Sequence, residues 1–239
     1  MKIILYGQWR TGTNPLIDIF TDMGFYNFEE YYSRTGIAHP DLVHPRKDAR
    51  EESNLYLHSL LKQRQVDNCI IKINFQHTTM PTYSVENMFD VKMVLYRKDF
   101  LQTAISQLVA EDRRSWINYG FQIPYKKSID LTEIEKRLIG ILTDIDIFVK
   151  SIDIAKINQV VNYEEDLVPY IKIVGSRHRV SANYQIENIQ EIREWYNNSE
   201  LFEKFGKLIT YFDTLKSKIN TVEFSEFVET IKKALNENK

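Results

Sequence analysis

The chain has 239 residues, 43% of them hydrophobic and 27% charged, with a formal net charge of −2. That length suits one α/β domain over residues 1–239 and buries roughly 70–75% of the unfolded surface, so the core needs no disulfide or metal staple. The near-neutral balance without a Lys/Arg block argues against a nucleic-acid binder, and no apolar run approaches the ~20 residues of a membrane span.

In chain order, Ile3-Ile4-Leu5 reads as a buried first strand over about 2–6. These three apolar residues before Tyr6-Gly7 are too few for a secretory signal, so the cytoplasm is the expected compartment. Leu16, Ile17, Ile19, Phe20 and Met23 have helical spacing and predict a helix over 14–23, stopped by Gly24. One local reading of its start is a turn capped by Asn14, with Pro15 at the first helical position. Residues 25–50 lack periodicity and read as a long loop of the kind that carries function. His39 and His44 fall there without a ligand-type carboxylate pattern and read as loop residues. A helix is expected over 51–65 and a second strand over Cys69 to Ile73. Cys69, the single cysteine, reads as a packed thiol in that strand.

Val91 to Tyr96 reads as a strand, followed by a helix over 100–110 with Asp99 as its N-cap. Residues 113–127 hold Gly120 and Pro124 and read as a loop. Leu131, Ile134, Leu138, Ile141, Leu142, Ile145 and Phe148 predict a long amphipathic helix over 129–152. Ile157 to Tyr163 reads as a strand, followed by helices over 164–174, 187–196, 200–217 and 222–236. Short apolar strands alternating with helices predict a parallel sheet covered on both faces.

Three places carry the chemistry. Between the first strand and helix lies Gly7-Gln8-Trp9-Arg10-Thr11-Gly12-Thr13-Asn14, a strand-loop-helix junction with the form of a phosphate-binding loop. It lacks the Walker lysine: Gly12 is followed by Thr13-Asn14, and the cation is Arg10. A triphosphate needs that lysine and Mg²⁺, whereas a phosphosulfate, with less charge, can be held by one cation and backbone N–H groups. Next, Arg97 ends a strand and Ser106 lies seven residues beyond Asp99 on the following helix, so a guanidinium fork and a hydroxyl can converge on one phosphate. Last, Val160-Val161-Asn162-Tyr163-Glu164-Glu165-Asp166-Leu167 ends a strand in an aromatic and a run of acids suited to a helix start.

In these motifs, over roughly residues 1–175, the sequence resembles the sulfotransferases that use 3′-phosphoadenosine 5′-phosphosulfate (PAPS). Their loop reads Lys/Arg-Ser/Thr-Gly-Thr/Ser-Thr/Asn, here Arg10-Thr11-Gly12-Thr13-Asn14. The Arg97…Ser106 spacing, with Ala104-Ile105-Ser106, looks most like the bacterial trehalose-type enzymes. The resemblance implies a P-loop NTPase-like three-layer α/β/α sandwich with a central parallel sheet and a helical C-terminal part. It implies PAPS as donor and adenosine 3′,5′-bisphosphate (PAP) as product, without metal. The acceptor would be a hydroxyl or amine of a small molecule or carbohydrate. Arg97 and Ser106 would hold the 3′-phosphate. Tyr163 would lie near the adenine in a Tyr-Glu-Asp-Leu motif that here carries one extra acid. Arg177 and Arg179 would belong to a basic loop over the cofactor.

For the base, the resemblance offers Glu30 in Phe28-Glu29-Glu30-Tyr31-Tyr32, matching the glutamate of the trehalose-type enzymes. It also offers His77, after the second strand as in animal cytosolic sulfotransferases but three residues further on. Imidazole titrates near ~6.5 and is a ready base. The subgroup spacing favours Glu30. A small-molecule kinase of the same fold, disfavoured by Thr13 at the Walker lysine position, and a non-catalytic PAP- or PAPS-binding protein are the alternatives.

Overall fold

The structure, a computed structural model, describes residues 1–8, 10, 12–28, 67–75, 87–113, 125–174 and 184–237. Its centre is a five-stranded, all-parallel sheet in the order β2-β3-β1-β4-β6. The strands are β1 (Lys2–Gly7), β2 (Tyr26–Asn27), β3 (Cys69–Asn74), β4 (Val91–Tyr96) and β6 (Gln159–Asn162). β1 lies in the middle, with Leu5 opposite Lys72 of β3 on one side and Met93 of β4 on the other. A separate two-stranded parallel ribbon pairs β5 (Tyr125–Lys127) with β7 (Tyr184–Ile186).

Alternation along the strands gives the sheet two apolar faces. Ile3, Leu5, Ile70, Met93, Leu95 and Val161 pack with α1 (Thr13–Asp22), α4 (Val168–Val174) and α7 (Phe224–Glu237). Ile4, Tyr6, Ile71, Ile73, Val94, Tyr96 and Val160 pack with α2 (Phe100–Asp112), α3 (Leu131–Ser151), α5 (Ile189–Asn197) and α6 (Glu200–Ile219). The result is the expected α/β arrangement in three layers. Near the carboxyl ends of the strands, Phe75 stacks on Phe148 of α3 at 4.2 Å and Tyr96 on Phe212 of α6 at 5.0 Å, fixing both helices to the sheet.

β1 is followed by α1 on one face, and β4 by α2 on the other. The connections leaving these adjacent strands diverge, and parallel sheets place ligands at such a point.

Several boundaries differ from the sequence reading. Asn14 is not a cap: α1 begins at Thr13, with Gly12 at the N-cap in the left-handed region, so Asn14 and Pro15 lie in the first turn. Two elements fall in stretches read as loops, β2 in 25–50 and β5 in 113–127. Another, β7, precedes a helix that starts at Ile189 rather than 187. The strand expected over 157–163 is shorter, because Ile154–Lys156 form a 3₁₀ turn ending at Ile157. The segment after it starts not as an α-helix but as a π turn, Tyr163–Leu167, continuous with α4. A π turn accommodates one residue more than an α turn, which absorbs the extra acid of Tyr163-Glu164-Glu165-Asp166. Asp99 is the N-cap of α2, accepting from Gln102 N at 2.8 Å. The helix expected over 51–65 and His39 and His44 lie outside the described residues. Among those described, no helix is long and apolar enough to cross a membrane.

Candidate functional site

The site is built where β1, β4 and β6 end. Residues after a central strand that enter a helix must turn sharply, and among the described residues of this loop Arg10 at 64° and Gly12 at 90° take positive φ. For Gly12 no other residue fits. A Cβ there would lie 2.1 Å from Cε2 of Tyr163, against which the loop backbone is pressed. Arg10 holds the same left-handed conformation with a side chain, a strain of about 1–3 kcal/mol that natural chains keep mainly where the side chain's direction matters.

Arg10 is aimed across the crevice. Its Nε donates to Ser106 Oγ of α2 at 2.9 Å. Arg97, directly after β4, donates from Nη1 to the Arg10 carbonyl at 3.5 Å. Its guanidinium carbon stands 4.7 Å from the centre of the Tyr163 ring, and its Nε donates to Glu164 Oε1 at 3.1 Å. Glu164 also accepts from the backbone N–H groups of Lys98 at 3.0 Å and Asp99 at 3.4 Å. The two arginines therefore meet at the loop, and Arg97 and Ser106 are linked through Arg10 rather than to each other.

Tyr163 is a buried wedge between Gly12 and Arg97. Burial raises its hydroxyl pKa and Glu164 adds to that, while the Arg97 and Arg10 guanidiniums pull it down. Thr13, the first residue of α1, is buried, and Asn14 is half-buried beside it. Below the site, Tyr96 donates to Asp213 Oδ1 at 2.5 Å. Lys98 bridges Glu165 at 2.6 Å and Asp213 at 3.1 Å. Desolvation works against its charge, but hydrogen bonds to these two acids prevail and hold the Lys98 ammonium above its usual pKa.

Gln8 of the loop and Asp144 of α3 are paired with no signal in the sequence. Gln8, buried directly after β1, donates from Nε2 to Asp144 Oδ2 of α3 at 2.8 Å. Burial raises the Asp144 carboxyl pKa, outweighing the Gln8 hydrogen bond and the charge of Arg137. Glu164, the partner of Arg97, did leave a trace: it is one of the acids that lengthen the Tyr-Glu-Asp-Leu pattern.

The structure thus brings together Arg10, Gly12, Thr13, Arg97, Ser106 and Tyr163. Thr11, Glu30, His77, Arg177 and Arg179 lie outside the described residues. Cys69 is buried, and burial pushes its thiol up to about 12, as fits a packing residue and not a nucleophile. No protein-family model and no curated protein matches the chain.

Proposed function

We propose that the protein is a PAPS-dependent sulfotransferase built on a P-loop-type fold, moving a sulfuryl group to a hydroxyl or amine of a small-molecule or carbohydrate acceptor. One observation carries the reading. Two guanidiniums and a serine hydroxyl join around a glycine-bearing loop at the N-terminus of α1, where the Walker lysine is replaced by Thr13. Cationic side chains beside helix N-terminal amides suit an anionic nucleotide without a metal-dependent triphosphate clamp. The glycine supports the same reading, because its lack of a side chain lets the loop backbone pack directly on Tyr163.

When bound, PAPS would supply the activated sulfuryl group, with the bridging phosphate oxygen as leaving atom. The chain's residues would do the rest. Arg10 neutralises charge on that oxygen as the S–O bond lengthens. Arg97 and the amides of Gly12 and Thr13 orient the phosphates. Glu30, or His77 in its place, takes the acceptor proton.

Calorimetry tests the cofactor. PAP should bind in the micromolar range without Mg²⁺ and ATP much more weakly, and Arg97→Ala should lose roughly ten- to a hundredfold in PAP affinity, given about 1.5–3 kcal/mol per charge-assisted hydrogen bond. Mg²⁺-dependent ATP binding with indifference to PAP would overturn the cofactor assignment and favour the kinase alternative. With an acceptor in hand, Arg10→Ala should lower kcat about 10²-fold or more while PAP affinity falls less. Glu30→Gln should cost about 10²–10⁴-fold in rate, with a smaller effect for His77→Asn. The reverse order would transfer the role of base to His77.

A further inference from the structure

We propose that Glu164 is a specificity-determining residue: its carboxylate fills the Arg97 cradle and yields it only to a nucleotide that carries a second phosphomonoester dianion beyond its 5′ phosphate. The inference rests on the reading above for the identity of that ligand, a nucleotide with a phosphate beyond its 5′ group.

Three donors converge on this one carboxylate: Arg97 Nε at 3.1 Å, Lys98 N at 3.0 Å and, more weakly, Asp99 N at 3.4 Å. That donor set is what an anionic ligand would use. A carboxylate brings one charge and two oxygens. A phosphomonoester brings about −1.5 to −2 at neutral pH and three acceptor oxygens, so it can replace Glu164 on the same donors and gain by the exchange. A sulfate ester, with a single charge, gains nothing over the resident carboxylate. Glu164 has a way out, since its side chain is 33% exposed while that of Arg97 is 17% exposed. The exchange also reaches the loop. The Arg97 guanidinium that would change partners stands over the Tyr163 ring and donates to the Arg10 carbonyl, and the same ring lies against Gly12.

The experiment compares PAP with AMP, which lacks the 3′-phosphate, on the wild-type chain and Glu164→Gln, by calorimetry and thermal melting. If Glu164 must be displaced, Glu164→Gln binds PAP about tenfold more tightly, binds AMP within about twofold of wild type, and melts lower than wild type without ligand because the ion pair is gone. A purely structural role would lower the melting temperature without tightening PAP. Unchanged or weaker PAP binding overturns the inference while leaving the cofactor assignment standing. An equal gain for PAP and AMP also overturns it, because it would report only the loss of a negative charge near the site. PAP binding by neither chain overturns both readings. Should Glu164→Gln not fold, Glu164→Asp decides: it keeps the charge but is one methylene too short to span the donors, so a PAP affinity above wild type supports displacement and one at or below wild type refutes it.

Discussion

At the scale of single residues, the loop after β1 is shaped by what cannot be placed there. Gly12 has no side chain because the Tyr163 ring occupies the space at 2.1 Å from where a Cβ would sit, and because its φ of 90° is hostile to L-residues. Gly12→Ala should therefore lower stability by about 2–4 kcal/mol, adding the left-handed penalty to the overpacking cost, as read in urea unfolding at constant m-value. Replacing Tyr163 with Leu in the same chain should recover the overpacking share but not the backbone share. Full recovery would mean that φ was never the constraint. Arg10 makes the opposite choice and holds φ 64° with a long side chain, which ties that strain to its bond with Ser106.

At the scale of elements, α2 is positioned by its first residues. Asp99 accepts from Gln102 N and the Thr103 hydroxyl donates to the Asp99 carbonyl at 3.1 Å, so the helix start and Ser106 are set together. Asp99→Ala should cost about 1 kcal/mol of stability and loosen the Arg10–Ser106 contact, visible as a weaker PAP affinity in the same titration. That cap was legible in the sequence, as were β1, β3 and β4, because apolar runs and a capping acid are local signals. What was not legible lacked either length or locality. β2 has two residues and β5 and β7 three each, too short for alternation to show. The π turn at Tyr163 looks in sequence like an ordinary acidic helix start. Arg97 and Glu164 are 67 positions apart, and Gln8 and Asp144 are 136 apart, so no window of sequence joins them. The motif residues could be named in advance. Which of them pair could not, since that is decided by which strand ends the sheet order makes neighbours.

At the scale of the whole molecule, groups far apart in the chain hold the helical C-terminal part against the sheet. Asp213 of α6 accepts from Tyr96 at the end of β4, Lys216 pairs with Asp166 at 2.7 Å, and Asp166 in turn accepts from Asn162 N at 2.7 Å. Tyr96→Phe keeps the ring stacked on Phe212 and removes only the hydroxyl, so it should cost about 1 kcal/mol. On the same face of the sheet, α3 is tied to the loop by the Gln8–Asp144 bond, and that tie has a pH signature. Burial raises the Asp144 carboxyl above its ordinary value of 3.8 in the folded chain. The folded state therefore holds this proton to higher pH than the unfolded one. Its contribution to stability is complete below that ordinary value and is lost as pH rises through the raised one. Asp144→Asn mimics the protonated form at every pH. Melting temperatures of the two chains, taken from about pH 4 to about pH 7, should lie close together at the acid end and separate on going upward, with the asparagine chain the more stable. A constant difference across that range would show that Asp144 ionises alike in the folded and unfolded chain, and that the carboxyl beside Gln8 is solvated rather than held in the wall of the site.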